Sequence, residues 1–218
     1  MPALIFDYDG LIADTEALVG SVLVDLLAAR GITTGFESMV VFMGSTGAVN
    51  DAAWARWVAD WMGPDEDPVA FDEEAWAIIE AHRHEVPLCA GVVELLDAAD
   101  AAGWGAAIGT GATRWRLEHH LSCLGVLDRF EPIVTAADVG RGKPEPDIFL
   151  EVARRLEIAP SECVVLEDSV PGYEAARAAG MSVVICPCAV TRYATFPDDA
   201  PMVESLLEIR LDQLLRSD

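Results

Sequence analysis

The sequence predicts an α/β fold: a parallel sheet covered by helices on both faces, with an all-helical insertion near its start. Three observations carry this. From residue 91 onward, short apolar runs alternate with helical stretches over short links. That alternation predicts strands joined by crossover helices, which makes neighbouring strands parallel. The strand candidates "ALIF" and "WGAAIGT" are nearly continuous apolar runs, as expected of strands buried on both faces. Residues 31–88 differ in texture: they hold no β-branched run, and Gly63 and Pro64 punctuate helical ones.

Taken in order, "ALIF" at residues 3–6 is the first strand, and it feeds the charged loop "DYDG". Residues 15–30, "TEALVGSVLVDLLAAR", read as a helix closed by Gly31, since glycine accepts the left-handed conformation that ends helices. "NDAAWARWVADWM" and "DEEAWAIIEAHRHE" are the helices of the insertion. "GVVELLDAADAAG" is a helix, "WGAAIGT" a strand, "RWRLEHHLSCLG" a helix, and "FEPIVTA" contains a strand. "PDIFLEVARRLEI" is a helix with Pro146 at the favoured first position. "CVVLED", "PGYEAARAAG" and "SVVIC" continue as strand, helix and strand, and the tail "VESLLEIRLDQLL" reads as one last helix on the core. Residues 1–14 and 89–218 therefore form the sheet-bearing core, and residues 15–88 the insertion.

At 218 residues the chain can bury roughly 70% of the surface that its unfolded form exposes. No apolar run reaches the roughly 18–20 residues of a membrane span. The N-terminus lacks a positive region and a cleavage-like site, so a cytoplasmic protein is expected. A net charge of −23 argues against nucleic acid or an anionic membrane as partner. An anionic substrate would need local positive charge at its site. Cys89, Cys123, Cys163, Cys186 and Cys188 are an odd, irregular set, which fits a reduced protein. "CPC" has no second ligand pair nearby and reads as small apolar residues at a strand end. The charged run "DEDPVAFDEE" reads as a solvated face.

In an open parallel sheet, ligands bind outside the carboxyl ends of the strands. The first strand ends in Asp7 and Asp9, followed by Gly10; "WGAAIGT" ends in Thr110, followed by Gly111; "CVVLED" ends in Glu167 and Asp168. Lys143 is the only lysine of the chain and stands in the loop before the "PDIF" helix, where Pro144 biases it to an extended conformation. Four carboxylates, a hydroxyl and an ammonium thus meet at one edge. The acids would repel one another unless a cation sits among them, and hard oxygen ligands at a wet edge suit Mg²⁺. A metal, a hydroxyl, loop N–H groups and an ammonium together make a phosphate site.

"DYDGLIAD", "AIGTG", "GKPEPDIF" and "VLEDSVPGYEAARAAGM" resemble, in order and spacing, the four motifs of the haloacid-dehalogenase superfamily. The likeness is greatest to its phosphatase and phosphomutase branch, with a Rossmann-like core and a small helical cap between the first two motifs. The resemblance implies that Asp7 attacks phosphorus and that Asp9 is the general acid and then the base. It implies Mg²⁺ on Asp7, Asp168 and the backbone carbonyl of Asp9, with Glu167 close by or ligating. Thr110, the N–H of Gly111 and Lys143 would hold phosphate oxygens. Gly44 and Ser45, in "MGSTG" at residues 43–47, have the position of the cap's specificity loop.

The branch is narrowed by what stands at marker positions. Relatives that break carbon–halogen bonds lack the second Asp, here Asp9. Relatives that break carbon–phosphorus bonds use a cap lysine, and this cap has none. Sugar phosphomutases carry a His where this chain has Val19, and a cap lysine as well, although Arg56, His82, Arg83 or His84 remain as substitutes. The expected activity is hydrolysis of a small phosphorylated metabolite, with a phosphomutase as the alternative. A non-enzymatic phospho-Asp switch is opposed by the helical insertion and by the chain length.

Overall fold

The computed structural model describes residues 1–44, 48–62 and 67–214. They form one five-stranded parallel sheet: β1 (Ala3–Phe6), β2 (Gly105–Thr110), β3 (Ile133–Thr135), β4 (Cys163–Glu167) and β5 (Ser182–Ile185), in the order β3-β2-β1-β4-β5. Helices α1 (Thr15–Ala29), α2 (Ala48–Trp61) and α3 (Pro68–His82) lie between β1 and β2 in sequence. They are followed by α4 (Val92–Ala102), α5 (Arg114–Cys123), α6 (Asp147–Leu156), α7 (Val170–Ala178) and the short α8 (Leu211–Leu214).

The strand period of two divides the core into layers. Leu4 and Phe6 pack with Leu95 and Leu96 of α4 and with Leu117 and Leu121 of α5. Ile5 faces the other way, onto Phe149 and Val152 of α6 and Tyr173 and Ala176 of α7. Each fully buried Leu, Ile or Phe contributes about 1.5–3 kcal/mol relative to exposure. This is why β1 needs a run of apolar residues rather than an alternation. A third apolar cluster joins Leu23 and Leu27 of α1, Trp57 of α2 and Phe71 and Ile79 of α3 with Cys188 and Val190 from beyond β5. Trp54 stacks on Trp57 with ring centroids 5.6 Å apart.

Two expectations are corrected. The tail is not one helix: Leu206–Glu208 form a single turn and Leu211–Leu214 a second. The backbone of β5 claims the tail's start, because Ile185 donates to the Pro201 carbonyl at 2.8 Å and Val203 donates to the Ile185 carbonyl at 2.8 Å. Leu206 is then buried in the core, which fixes where the turn falls. The run "DEDPVAFDEE" is not only a solvated face either. Pro68 opens α3 behind the Asp67 cap, Phe71 is buried, and Asp72 faces a cavity. A smaller difference is that Pro146 caps α6 rather than standing at its first position.

The insertion leaves and rejoins the core at Asp14–Thr15 and at Val86–Leu88, where Ala13 bridges Leu88. One buried hydrogen-bond chain braces the return. The Val86 carbonyl can only accept, so His120 Nε2, 2.8 Å away, carries the proton. Neutral Nδ1 of His120 is then an acceptor, and the Tyr8 hydroxyl donates to it at 2.6 Å. Burial lowers the His120 pKa and so favours this neutral form. Tyr8→Phe keeps the ring and removes the donor. It should cost about 1–3 kcal/mol, the range for leaving a buried acceptor unpaired. Urea unfolding of both proteins measures this, and equal midpoints and slopes would show that the brace carries no stability.

Candidate active site

β1 lies at the centre of the sheet, with β2 on one side and β4 on the other, so the chain order reverses around it. A crevice forms at such a switch point, outside the carboxyl ends of the strands. Phe6 pairs with Leu166 and with Ile108. The residue just after β1 is Asp7, whose N–H donates to the Leu166 carbonyl at 2.9 Å. Asp7 therefore stands beside Glu167 at the mouth of the crevice.

Lys143 reaches this point from the loop before α6. Its Nζ lies 2.6 Å from Asp7 Oδ1, 2.6 Å from Glu167 Oε1, and 5.1 Å from the centre of the Phe149 ring. The side chain is 2% exposed. Burial by itself would lower the lysine pKa, but Asp7 and Glu167 outweigh it and hold Lys143 protonated. Burial pushes Asp7 up to about 7 against the pull of Lys143. Asp168 is also raised well above the usual carboxylate range, by burial first and then by Glu167 and Asp7.

Both oxygens of Glu167 are engaged. Oε1 faces Lys143, while Oε2 accepts from the N–H groups of Asp168 (2.8 Å) and Ser169 (2.9 Å) and from the Ser169 hydroxyl (2.9 Å). Asp168 Oδ2 accepts from Thr191 Oγ1 at 3.0 Å. Two glycines make room for this packing. Gly10, at φ +81°, lies so close to the Asp168 carboxylate that a Cβ would overlap it. A Cβ on Gly172 would overlap the carboxylate of Glu167.

Asp7, Glu167 and Asp168 offer carboxylate oxygens within 4.8 Å of one another, all buried. Three buried acids face one ammonium, and burial first, with the neighbouring carboxylates after it, raises the pKa of Asp7 and Asp168. Hard oxygen donors short of positive charge fit a small divalent cation such as Mg²⁺. The carboxylate of Asp9 is turned elsewhere: its Oδ1 accepts from Thr15 Oγ1 at 2.5 Å and from Arg83 Nη1 at 3.2 Å. Thr110 is buried at the end of β2, where its hydroxyl accepts from Ala112 N–H at 3.1 Å.

Over these groups lies a cavity of about 480 Å³. Asp7, Asp9, Thr110, Gly111 and Lys143 line its floor. Gly44 lines it too and packs against Ser169. Ser45 lies outside the described residues. Glu167 and Asp168 sit behind the floor rather than on the cavity wall.

The far wall comes from the insertion. Asp72, Trp76 and Arg83 are spaced by four and seven residues, which places them on one side of α3 and its extension. Of the four candidate cap groups, Arg83 faces the site, whereas Arg56, His82 and His84 are exposed. Glu16 lines the same cavity, and burial, with Asp9 and Asp7 nearby, pushes it up to about 8. Asp72, Glu16 and Thr191 were not singled out from the sequence. The helical spacing of Asp72 and Trp76 is a signal that could have found the first, but nothing local marks the other two.

A family profile described as haloacid dehalogenase-like hydrolase matches residues 1–180. Among curated proteins, the chain is 33% identical over 188 residues to fructose-1-phosphate phosphatase YqaB of Escherichia coli, covering 83% of this chain and 94% of that protein. It is 30% identical over 214 residues to the bifunctional riboflavin kinase/FMN phosphatase of Arabidopsis thaliana, 96% of this chain but only 55% of the length of that relative. Among solved structures, CbbY of Rhodobacter sphaeroides in complex with xylulose-(1,5)bisphosphate superposes with a TM-score of 0.72 at 26% identity, covering 95% of this chain and 96% of the other. The profile spans most of the chain, and the sheet order, the insertion and the buried acidic cluster fit it: this chain belongs to the haloacid dehalogenase-like hydrolases.

Proposed function

We propose that the chain is a Mg²⁺-dependent phosphatase that hydrolyses a small phosphate monoester through an aspartyl phosphate on Asp7. The observation that carries this reading is the ammonium of Lys143, held between Asp7 and Glu167 beneath a cavity and beside a buried acidic cluster. The names of the phosphatase relatives support the same reaction class.

Asp7 and Asp168, with the backbone carbonyl of Asp9, would hold Mg²⁺, and Glu167 stands close by. Bound Mg²⁺ supplies positive charge to offset that of the phosphoryl oxygens. Asp7 is placed for attack on phosphorus. Splitting the displacement through a covalent intermediate avoids bringing water directly onto a phosphate dianion. Lys143, the Thr110 hydroxyl and the Gly111 N–H bind the phosphoryl oxygens and hold them in line. Asp9 gives a proton to the departing oxygen and then takes one from the water that attacks the aspartyl phosphate. That second step releases phosphate and restores the Asp7 carboxylate. Thr15 and Arg83 hold Asp9 meanwhile. Residues 15–88 act as the cap that closes over the substrate, with Gly44 and Ser45 in its specificity loop.

Incubation with a panel of small phosphate esters and Mg²⁺ should release phosphate, and excess chelator should abolish the release. Ca²⁺ should not restore it, because it takes more ligands at longer distances and would misplace Asp7. Full turnover in chelator would remove the metal from the account.

Lys143→Arg keeps the charge but replaces a compact ammonium with a wider planar fork. Between two carboxylates, each 2.6 Å away, the fork has to displace Asp7 or Glu167. kcat/KM should fall by about a hundredfold or more, the cost of a small misplacement of reacting groups. Circular dichroism should show a retained fold. Activity within a few-fold of the parent would mean that only the charge matters there.

A further inference from the structure

We propose that the cavity selects phosphate esters whose leaving group donates hydrogen bonds and carries no acidic group of its own. Polyhydroxylated and amine-bearing alcohols fit; carboxylated alcohols and bisphosphates do not. The inference rests on the phosphatase reading and adds what the end of the cavity remote from Lys143 recognises.

Each cation at the site already stands beside an acid. Lys143 lies between Asp7 and Glu167. Arg83 faces Asp9 at 3.2 Å and Glu80 at 3.7 Å. Arg116 lies 3.0 Å from Glu80, with its guanidinium over the rings of Trp76 (5.8 Å) and Trp115 (5.5 Å). Two aspartates on the cavity wall are not matched. Among the described residues, Asp51 and Asp72 make no hydrogen bond or ion pair, and Asp72 Oδ1 is buried without a partner. An ionised carboxylate only accepts, so what satisfies these groups must donate. A buried acceptor left without a donor is costly, so Asp72 Oδ1 in particular favours a ligand that donates to it.

Phe42, Trp54 and Trp76 complete the wall. These side chains give that end of the cavity an apolar surface for the C–H side of a polyol. Hydroxyls and amines share the chemistry that this wall accepts. A second phosphate or a carboxylate would meet like charge from Asp51 and Asp72, inside a chain of net charge −23. The Arg116–Glu80 contact is close but poorly aligned, since neither Arg116 Nε nor Glu80 Oε1 makes a hydrogen bond. Arg116 is therefore the group that would read an acidic leaving group if one binds.

The test uses one carbon skeleton with its charge varied: glucose 6-phosphate, glucosamine 6-phosphate, 6-phosphogluconate and fructose 1,6-bisphosphate, at constant ionic strength and saturating Mg²⁺. Each is measured as a substrate and as a competitor of p-nitrophenyl phosphate hydrolysis. The hydroxyl and amine members should exceed the carboxylate and bisphosphate members in kcat/KM by about tenfold or more, the scale on which unpaired polar groups discriminate. They should also compete at correspondingly lower concentrations. Asp51→Asn combined with Asp72→Asn, checked for folding by circular dichroism, should narrow that ratio to a few-fold. If p-nitrophenyl phosphate is hydrolysed but the acidic members are equal or preferred, the inference is overturned and the phosphatase reading stands. The inference is likewise overturned if the double variant keeps the full ratio. If no ester releases phosphate, the phosphatase reading falls and takes the inference with it.

Discussion

Asp7 on β1 and Glu167 on β4 stand on adjacent strands, and the sheet register leaves their carboxylates no way to avoid each other. At an effective dielectric of about 20, two unit charges 4 Å apart repel by about 4 kcal/mol. With Asp168 also within 4.8 Å, such an edge is unstable without a counter-charge. The Lys143 ammonium supplies it, at 2.6 Å from both Asp7 and Glu167. Much of the local structure serves that contact. Glu167 is held on its other oxygen by Ser169 and two backbone N–H groups, Asp168 is held by Thr191, and Gly10 and Gly172 leave the carboxylates their space. The other 13 basic residues counted with it are arginines, and Arg83 among them stands on the same cavity, against Asp9. The arrangement still leaves net negative charge at the crevice, which suits a further cation and the binding of a phosphoryl group together.

The fold separates stability from chemistry. The sheet's two faces are apolar and packed by α4 and α5 on one side and α6 and α7 on the other, while its carboxyl edge holds nearly all the buried charge. The insertion adds a second set of polar groups from the opposite side. Arg83 and Thr15 hold Asp9, so the group read as acid and base is tied to the insertion, and Asp7 is tied to the core. Under the proposed phosphatase reading, this division would let the phosphate end stay fixed while the other end of the cavity sets which alcohol fits.

The sequence made the sheet and the floor of the site legible because both depend on local signals. "ALIF" and "CVVLED" are short apolar runs ending in acids, and a parallel sheet gathers such ends on one edge. Lys143 was legible because it is the only lysine. The opposite wall was not, since its residues acquire meaning only through tertiary packing. Asp72 stood inside a charged run that looked solvated, until the phase of α3 turned Phe71 to the core and Asp72 to the cavity. His120 sat in a largely polar helix and proved to link Tyr8 to the returning chain at Val86. Thr191 reaches Asp168 across 23 positions, a distance no local pattern encodes. The tail failed as a helix because backbone pairing with β5 outweighed the helical propensity of its leucines.

The central claim is that Asp7 carries the transferred phosphoryl group. It is tested most directly by mass spectrometry of peptides from enzyme quenched in acid during turnover. The account predicts an added phosphoryl mass on the peptide containing Asp7. That mass should persist longer in an Asp9→Asn variant, whose intermediate lacks its base for breakdown, and should be absent in Asp7→Asn. Phosphorylation of any other residue, or an undiminished adduct in the Asp7→Asn protein, would contradict the account.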